Sequence, residues 1–135
     1  MQLTAATRYA VHALAFLASQ EGGHLAASHD IARAKGIPEL FLLKVLKPLV
    51  TAGILLSLKG PNGGYRLAKP VKDVTLLEVV EAVEGPVRGQ AELPWGGGGE
   101  LERRLEAAFD QVAEVITGQF RKVKLSDLAG KRRKG

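Results

Sequence analysis

Apolar positions recur along the chain with a helical period in three places and with a strand-like period in one. Leu3, Ala6, Ala10, Ala13, Leu14 and Leu17 keep the spacing of one helix face, which predicts a first helix capped at Thr4 or earlier and ended by Gly22 and Gly23. A short second helix is expected over residues 29–35, with Ser28 as N-cap, Asp30 in the first turn and Gly36 as the stop. A third begins at Pro38 and Glu39 and runs to about Ala52, with Ile37, Leu42, Val45, Leu46 and Leu49 as its inner stripe. Pro48 lies inside that helix, where it predicts a kink or a tightened last turn. After Gly53 the period changes. "ILLSL" and "YRLAK" flank a turn of glycine, proline and asparagine, the pattern of a β-hairpin.

Helices resume at "VTLLEVVEAVEGP", where Thr75 and Glu78 have capping-box spacing and Gly85 and Pro86 close the element. Residues 86–99 read as a glycine-rich loop carrying the single tryptophan, Trp95. The longest amphipathic pattern covers about 100–121, with Leu101, Leu105, Ala108, Phe109, Val112, Ile116 and Phe120 on one stripe and Gly118 as a weak point. Glu100 and Glu102 open it and Arg121 and Lys122 close it, as the helix dipole favours. A short turn of helix in "SDLAG" and a basic tail follow. The expected fold class is mainly α with a small β-hairpin wing: helix, turn, helix, hairpin is the order of a winged helix-turn-helix, here with a long C-terminal helix. The expected organisation is a winged domain over 1–85, the loop 86–99, the long and short helices over 100–130, and the tail 131–135.

Charge adds direction to this pattern. The net charge is +5, and residues 1–70 hold eight Lys and Arg against three Asp and Glu, whereas residues 71–135 hold eleven of each. A basic first half suits a polyanionic partner. The chain has no cysteine, which excludes disulfides, thiolate metal sites and cysteine nucleophiles. No apolar run approaches the ~18 residues of a membrane span, so no membrane partner and a cytoplasmic location are expected.

Helix-turn-helix proteins insert the start of the second helix into the major groove. The outward residues of the third helix are therefore the candidate readers: Glu39, Leu40, Leu43, Lys44 and Lys47, joined by Phe41 at the helix start. Lys44 and Lys47 suit phosphates or guanine edges. For Leu40 and Leu43 two readings stay open, contact with thymine methyl groups or completion of the core. The hairpin then reads as a wing whose tip lies on the DNA backbone or in the minor groove. Gly60, Gly63 and Gly64 let backbone amides approach phosphate, Lys59 and Arg66 add charge, and Pro61 and Asn62 set the turn beside Tyr65. Ser28 and His29, at the start of the second helix, are further candidate phosphate contacts.

The segments "LTAATRYAVHAL", "IARAKGIPELFLLKVLKPLVTAGILLSLKGPNGGYRLAKP" and "VTLLEVVEAVEGP" resemble the Rrf-type winged-helix transcription factors. The likeness implies a regulator of transcription, acting as a repressor on a double-stranded DNA operator. It also implies a homodimer held by the long helix, through Leu101, Leu105, Phe109, Val112, Ile116 and Phe120. Sensor members of that family carry three cysteines between the fourth helix and the long helix. Here the corresponding loop, "PVRGQAELPWGGGGE", has none, so no iron–sulfur cluster and no other cofactor is expected, and the effector stays unassigned. Two rivals remain: a protein-interaction module using Leu40, Phe41 and Leu43, and a repressor answering a small molecule near Trp95.

Nothing in the chain suggests an enzyme. "GPNGGY" lacks the lysine and following helix of a phosphate-binding loop. Glu81, Glu84 and Glu92 read as solvated charge, His12 and His24 as structural or surface residues, and the basic tail as an unstructured end.

Overall fold

The computed structural model describes residues 5–20, 23–87 and 98–129. Six α-helices and one hairpin follow in chain order: α1 (Ala5–Ser19), α2 (Ser28–Lys35), α3 (Glu39–Thr51), β1 (Leu55–Leu58), β2 (Gly64–Leu67), α4 (Leu76–Glu84), α5 (Gly99–Lys122) and α6 (Leu125–Ala129). A short 3-10 turn, Val71–Asp73, separates the hairpin from α4. The expected mainly helical fold with a two-stranded wing is the one observed.

The helices of the winged domain bury their inner apolar positions. Ala10, Ala13, Leu14 and Leu17 of α1 meet Leu42, Val45, Leu46 and Leu49 of α3, with Ile31 of α2 and Ile37 filling the angle between the two helices of the turn. Burying each of the leucine, isoleucine and valine side chains contributes about 1.5–3 kcal/mol. Gly36 ends α2 in the left-handed region, at φ 65°, and its amide donates to the Ala32 carbonyl. Pro38 supplies the N-cap of α3 at φ −59°. Pro48 is accommodated inside α3, and the last turn tightens, with the Gly53 amide donating to Val50 three residues back at 3.0 Å.

The hairpin is fixed from two sides. Leu55 pairs with Leu67 and Leu58 with Gly64 in antiparallel register. The Ile54 amide donates to the Leu49 carbonyl at 3.0 Å, which joins the hairpin to the end of α3. On the other edge Ala26 and Tyr65 exchange backbone hydrogen bonds of 2.9 and 2.8 Å, which join it to the entry of α2. The wing is thereby held in one frame with both helices of the turn.

Behind this domain, Thr75 caps α4 as the spacing predicts. Its hydroxyl accepts from the Glu78 amide at 3.1 Å and its amide donates to the Glu78 carboxylate at 3.4 Å. Glu78 also accepts from the Lys69 ammonium. Glu84 departs from its reading as solvated charge, because it is half-buried and accepts a hydrogen bond from the buried Thr7 hydroxyl at 2.9 Å, across α1 and α4. Glu81 is exposed, and Glu92 lies outside the described residues.

The long helix is docked at one end only. Ala113, Ile116 and Phe120 of α5 pack on Leu77, Val80 and Val87. Just beyond, the Leu76 amide donates to Val123 at 2.7 Å and the Leu125 amide to Val74 at 2.8 Å, a short antiparallel clasp. No residue of α5 is fully buried, and Leu101, Leu105, Phe109, Val112 and Val115 are all exposed along it. No helix among the described residues is long and apolar enough to cross a membrane.

Candidate nucleic-acid interface

The inner stripe of α3 decides what its other face presents. With Leu42, Val45, Leu46 and Leu49 buried, the remaining side chains must point outward. At 3.6 residues per turn, Leu40, Lys44, Lys47 and Thr51 fall within an arc of about 60° opposite that stripe. All four are exposed, as are Glu39, Phe41 and Leu43 at the margins. Leu40 is 76% exposed and Leu43 39%, so neither completes the core. Both leucines lie outside the core cluster.

Two contacts organise this face. The Ser28 hydroxyl donates to a Glu39 carboxylate oxygen at 2.9 Å, linking the first turns of α2 and α3. Ser28 is thus the first residue of α2 and not its N-cap; Ala27 holds the cap position, with no side-chain hydrogen bond. The hydroxyl proton goes to a charged acceptor, the Glu39 carboxylate, and its oxygen caps no helix amide. The second contact is the Lys44 ammonium, 5.5 Å from the centre of the Phe41 ring. Phe41 and Lys44 border a groove of about 250 Å³ that Ala5, Ala6 and Tyr9 of α1 line on its far side. Phe41 therefore leans toward α1, at the edge of the outward face.

His29 is exposed and lies 3.4 Å from the Asp30 carboxylate. At the wing, Lys59, Gly60, Pro61, Asn62 and Arg66 are exposed, while Gly63, Gly64 and Tyr65 are half-buried. The turn closes with the Gly63 amide donating to the Gly60 carbonyl at 2.9 Å. The glycines divide by cause. A Cβ on Gly63 would stand 2.1 Å from the Leu58 carbonyl oxygen, and one on Gly64 would stand 2.7 Å from the Ala26 carbonyl oxygen. Those two serve the close approach of neighbouring backbone within the protein. Gly60, at φ 106° with open space around it, is the glycine at the tip that faces outward. Tyr65 packs against the core and braces the wing from behind.

Among the described residues, none of Lys44, Lys47, Lys59 and Arg66 is ion-paired with a carboxylate. Four uncommitted cations on one helix face and one wing form a surface that attracts an anion and repels another base.

Of the long-helix residues, Leu101, Leu105, Phe109 and Val112 are exposed, whereas Ile116 and Phe120 are half-buried on α4 of the same chain. Val115, 66% exposed, belongs beside the first group. It stands three residues after Val112, on the same helical stripe, and the sequence reading passes over it. Trp95 and the basic residues of 131–134 lie outside the described residues.

The donor set bears on metal chemistry. The chain has no thiolate, and its three histidines, His12, His24 and His29, are exposed on separate segments. Among the described residues no group of three or more His, Cys, Asp or Glu is placed to hold a metal ion. These residues do not fit a thiolate-held iron–sulfur cluster.

Comparison with known proteins agrees with the geometry. The Rrf2 family model, described as an iron-dependent transcriptional regulator, matches residues 3–131. Protein aau3 of Rhizobium meliloti (strain 1021) is 37% identical over 125 residues, covering 87% of this chain and 80% of that one. A protein of Mycobacterium tuberculosis (strain ATCC 25618 / H37Rv) named as an HTH-type transcriptional regulator is 32% identical over 139 residues, covering 96% and 82%. Among solved structures, CymR, the global cysteine regulator of B. subtilis, superposes with a TM-score of 0.74 over 96% of both chains at 23% identity, which shows the fold.

Proposed function

The chain belongs to the Rrf2 family of DNA-binding transcriptional regulators, and from that premise we propose that two copies act together on a two-fold operator as a repressor. α3 enters the major groove, and Leu40, Leu43, Lys44 and Lys47 face the base edges and flanking phosphates. The wing tip, from Lys59 to Asn62, lies on the backbone and the minor groove, with Arg66 beside it. Ser28 and His29 stand where α2 crosses the phosphates. The observation that carries this reading is the outward face of α3, where exposed apolar side chains and uncommitted cations share one arc.

The free half of α5 supports the pairing of two copies. Leu101, Leu105, Phe109 and Val112 form an apolar stripe that stays exposed among the described residues. A second α5 covers it and places a second winged domain about one helical turn of DNA away. Repression follows from occupancy, since a seated dimer excludes other proteins from the same stretch of promoter. Iron does not enter this reading, because the donors that would hold a cluster are missing from the chain.

Selection of bound duplexes from a random pool tests the proposal. The expected result is an enriched sequence with two related half-sites about 10 base pairs apart, or a multiple of that spacing. A pool that returns no enriched sequence contradicts it.

A further inference from the structure

We infer that the half-site read by α3 is centred on thymine, recognised through its C5-methyl group by Leu40 and, one turn later, Leu43. The inference rests on the proposed DNA-binding role of α3 and specifies which base feature that helix takes.

The position of Leu40 is the first argument. It lies in the first turn of α3, at the end that enters the groove, and within the arc opposite the buried stripe. At 76% it is among the most exposed large apolar residues of the described chain. Among the described residues it belongs to no core cluster. Its neighbours on the same arc are ammonium groups, which disfavour a basic protein partner and favour nucleic acid.

The second argument is chemical. A leucine has no donor or acceptor, so it cannot satisfy the polar edge of guanine, cytosine or adenine. Pressing it against such an edge strips water from that group without replacing the hydrogen bond. The thymine methyl is the one apolar feature that an unmodified base pair offers in the major groove. Leu40 and Leu43 are separated by about 4.5 Å along the helix axis, close to the base step of about 3.4 Å along one strand. The two side chains thus reach neighbouring base pairs, and a thymine–thymine step meets both.

The polar residues nearby occupy other places. Phe41 borders the groove against α1, and the Lys44 ammonium is held near its ring. Glu39 is engaged by Ser28. That arrangement leaves Leu40 at the centre of the reading face between Lys44 and Lys47, with Leu43 at its margin beside Lys47.

The test uses the full chain and the duplex enriched from a random pool. Each thymine of the half-site is replaced in turn by deoxyuridine, which deletes the methyl group and keeps the pairing. At one or two positions affinity should fall about four-fold for each methyl removed. With Leu40→Ala that penalty should shrink to under about two-fold at its partner position, because the pair no longer exists. Leu40 is exposed, so this variant should keep the wild-type helix content and thermal midpoint, which serve as the folding control. Specific binding with no uracil penalty anywhere, or an enriched half-site without thymine, overturns the inference and leaves DNA reading intact. Failure to enrich any sequence overturns both, so the two failures are told apart.

Discussion

The Ser28 hydroxyl donates to the Glu39 carboxylate at 2.9 Å and ties the first turn of α2 to the first turn of α3. The bond spans the tight turn of the helix-turn-helix and occupies one oxygen of the only acidic residue on α3. An untethered carboxylate at the mouth of the groove would face phosphates of like charge. Ser28→Ala is therefore expected to weaken operator binding by about 2- to 12-fold, the equivalent of one hydrogen bond of about 0.5–1.5 kcal/mol. Glu39→Gln should instead strengthen binding to unrelated duplexes at low salt, since it removes a repulsive charge. Equilibrium titrations of both variants against specific and scrambled duplexes decide the signs.

Lys59 precedes the wing tip, is exposed, and has no carboxylate partner among the described residues. In the proposed complex it meets charge and not base identity. Lys59→Ala should weaken binding to every duplex by a similar factor and flatten the salt dependence by about 0.9 log units per wing. Wild-type affinity of this variant across a salt series would remove the wing from the interface.

Gly63 and Asn62 are neighbours in the turn with opposite expectations. A Cβ at Gly63 meets the Leu58 carbonyl oxygen at 2.1 Å, so Gly63→Ala must open the end of the hairpin. A cost of about 1–3 kcal/mol is expected, seen as a lower midpoint in thermal unfolding. Asn62 is exposed, and Asn62→Ala should stay within about 0.5 kcal/mol of wild type.

On α5 the two ends separate pairing from folding. Phe109 is 45% exposed and lies outside the part of α5 that packs on α4, which is Ala113, Ile116 and Phe120. Phe109→Asp should yield a folded monomer, with helix content unchanged in circular dichroism and half the mass in light scattering. Ile116 sits on α4, so Ile116→Ala should lower stability by about 1–3 kcal/mol before it affects pairing. A Phe109→Asp protein that remains a dimer would place the pairing surface elsewhere.

Where local patterning governs, the sequence is legible. The four buried positions of α3, the Thr75 and Glu78 box, the hairpin and the amphipathic long helix all follow from periods, caps and turn residues a few positions apart. What escaped depends on partners far along the chain. Ser28 has ordinary N-cap chemistry, and only the angle between α2 and α3 offers it Glu39, eleven residues on. Glu84 reads as a surface charge until α1 brings the Thr7 hydroxyl to it, across 77 residues. The pairing of Thr75 with Lys124 has no local signal, because the three-residue clasp gains its partners only when α5 folds back along α4. At the candidate interface, the cations and the tip glycine were readable as types. The division of the glycines was not, since Gly64 is required by Ala26, a neighbour in space from before α2.

The most direct test is the salt dependence of binding to the enriched duplex, measured as association constant against salt concentration. Lys44, Lys47, Lys59 and Arg66 on each of two chains imply a log–log slope of about −7, at roughly −0.9 per phosphate contact. A slope of that order, with two chains bound per duplex, is the predicted result. A slope near zero, or a single chain that ignores double-stranded DNA even at low salt, would contradict the account.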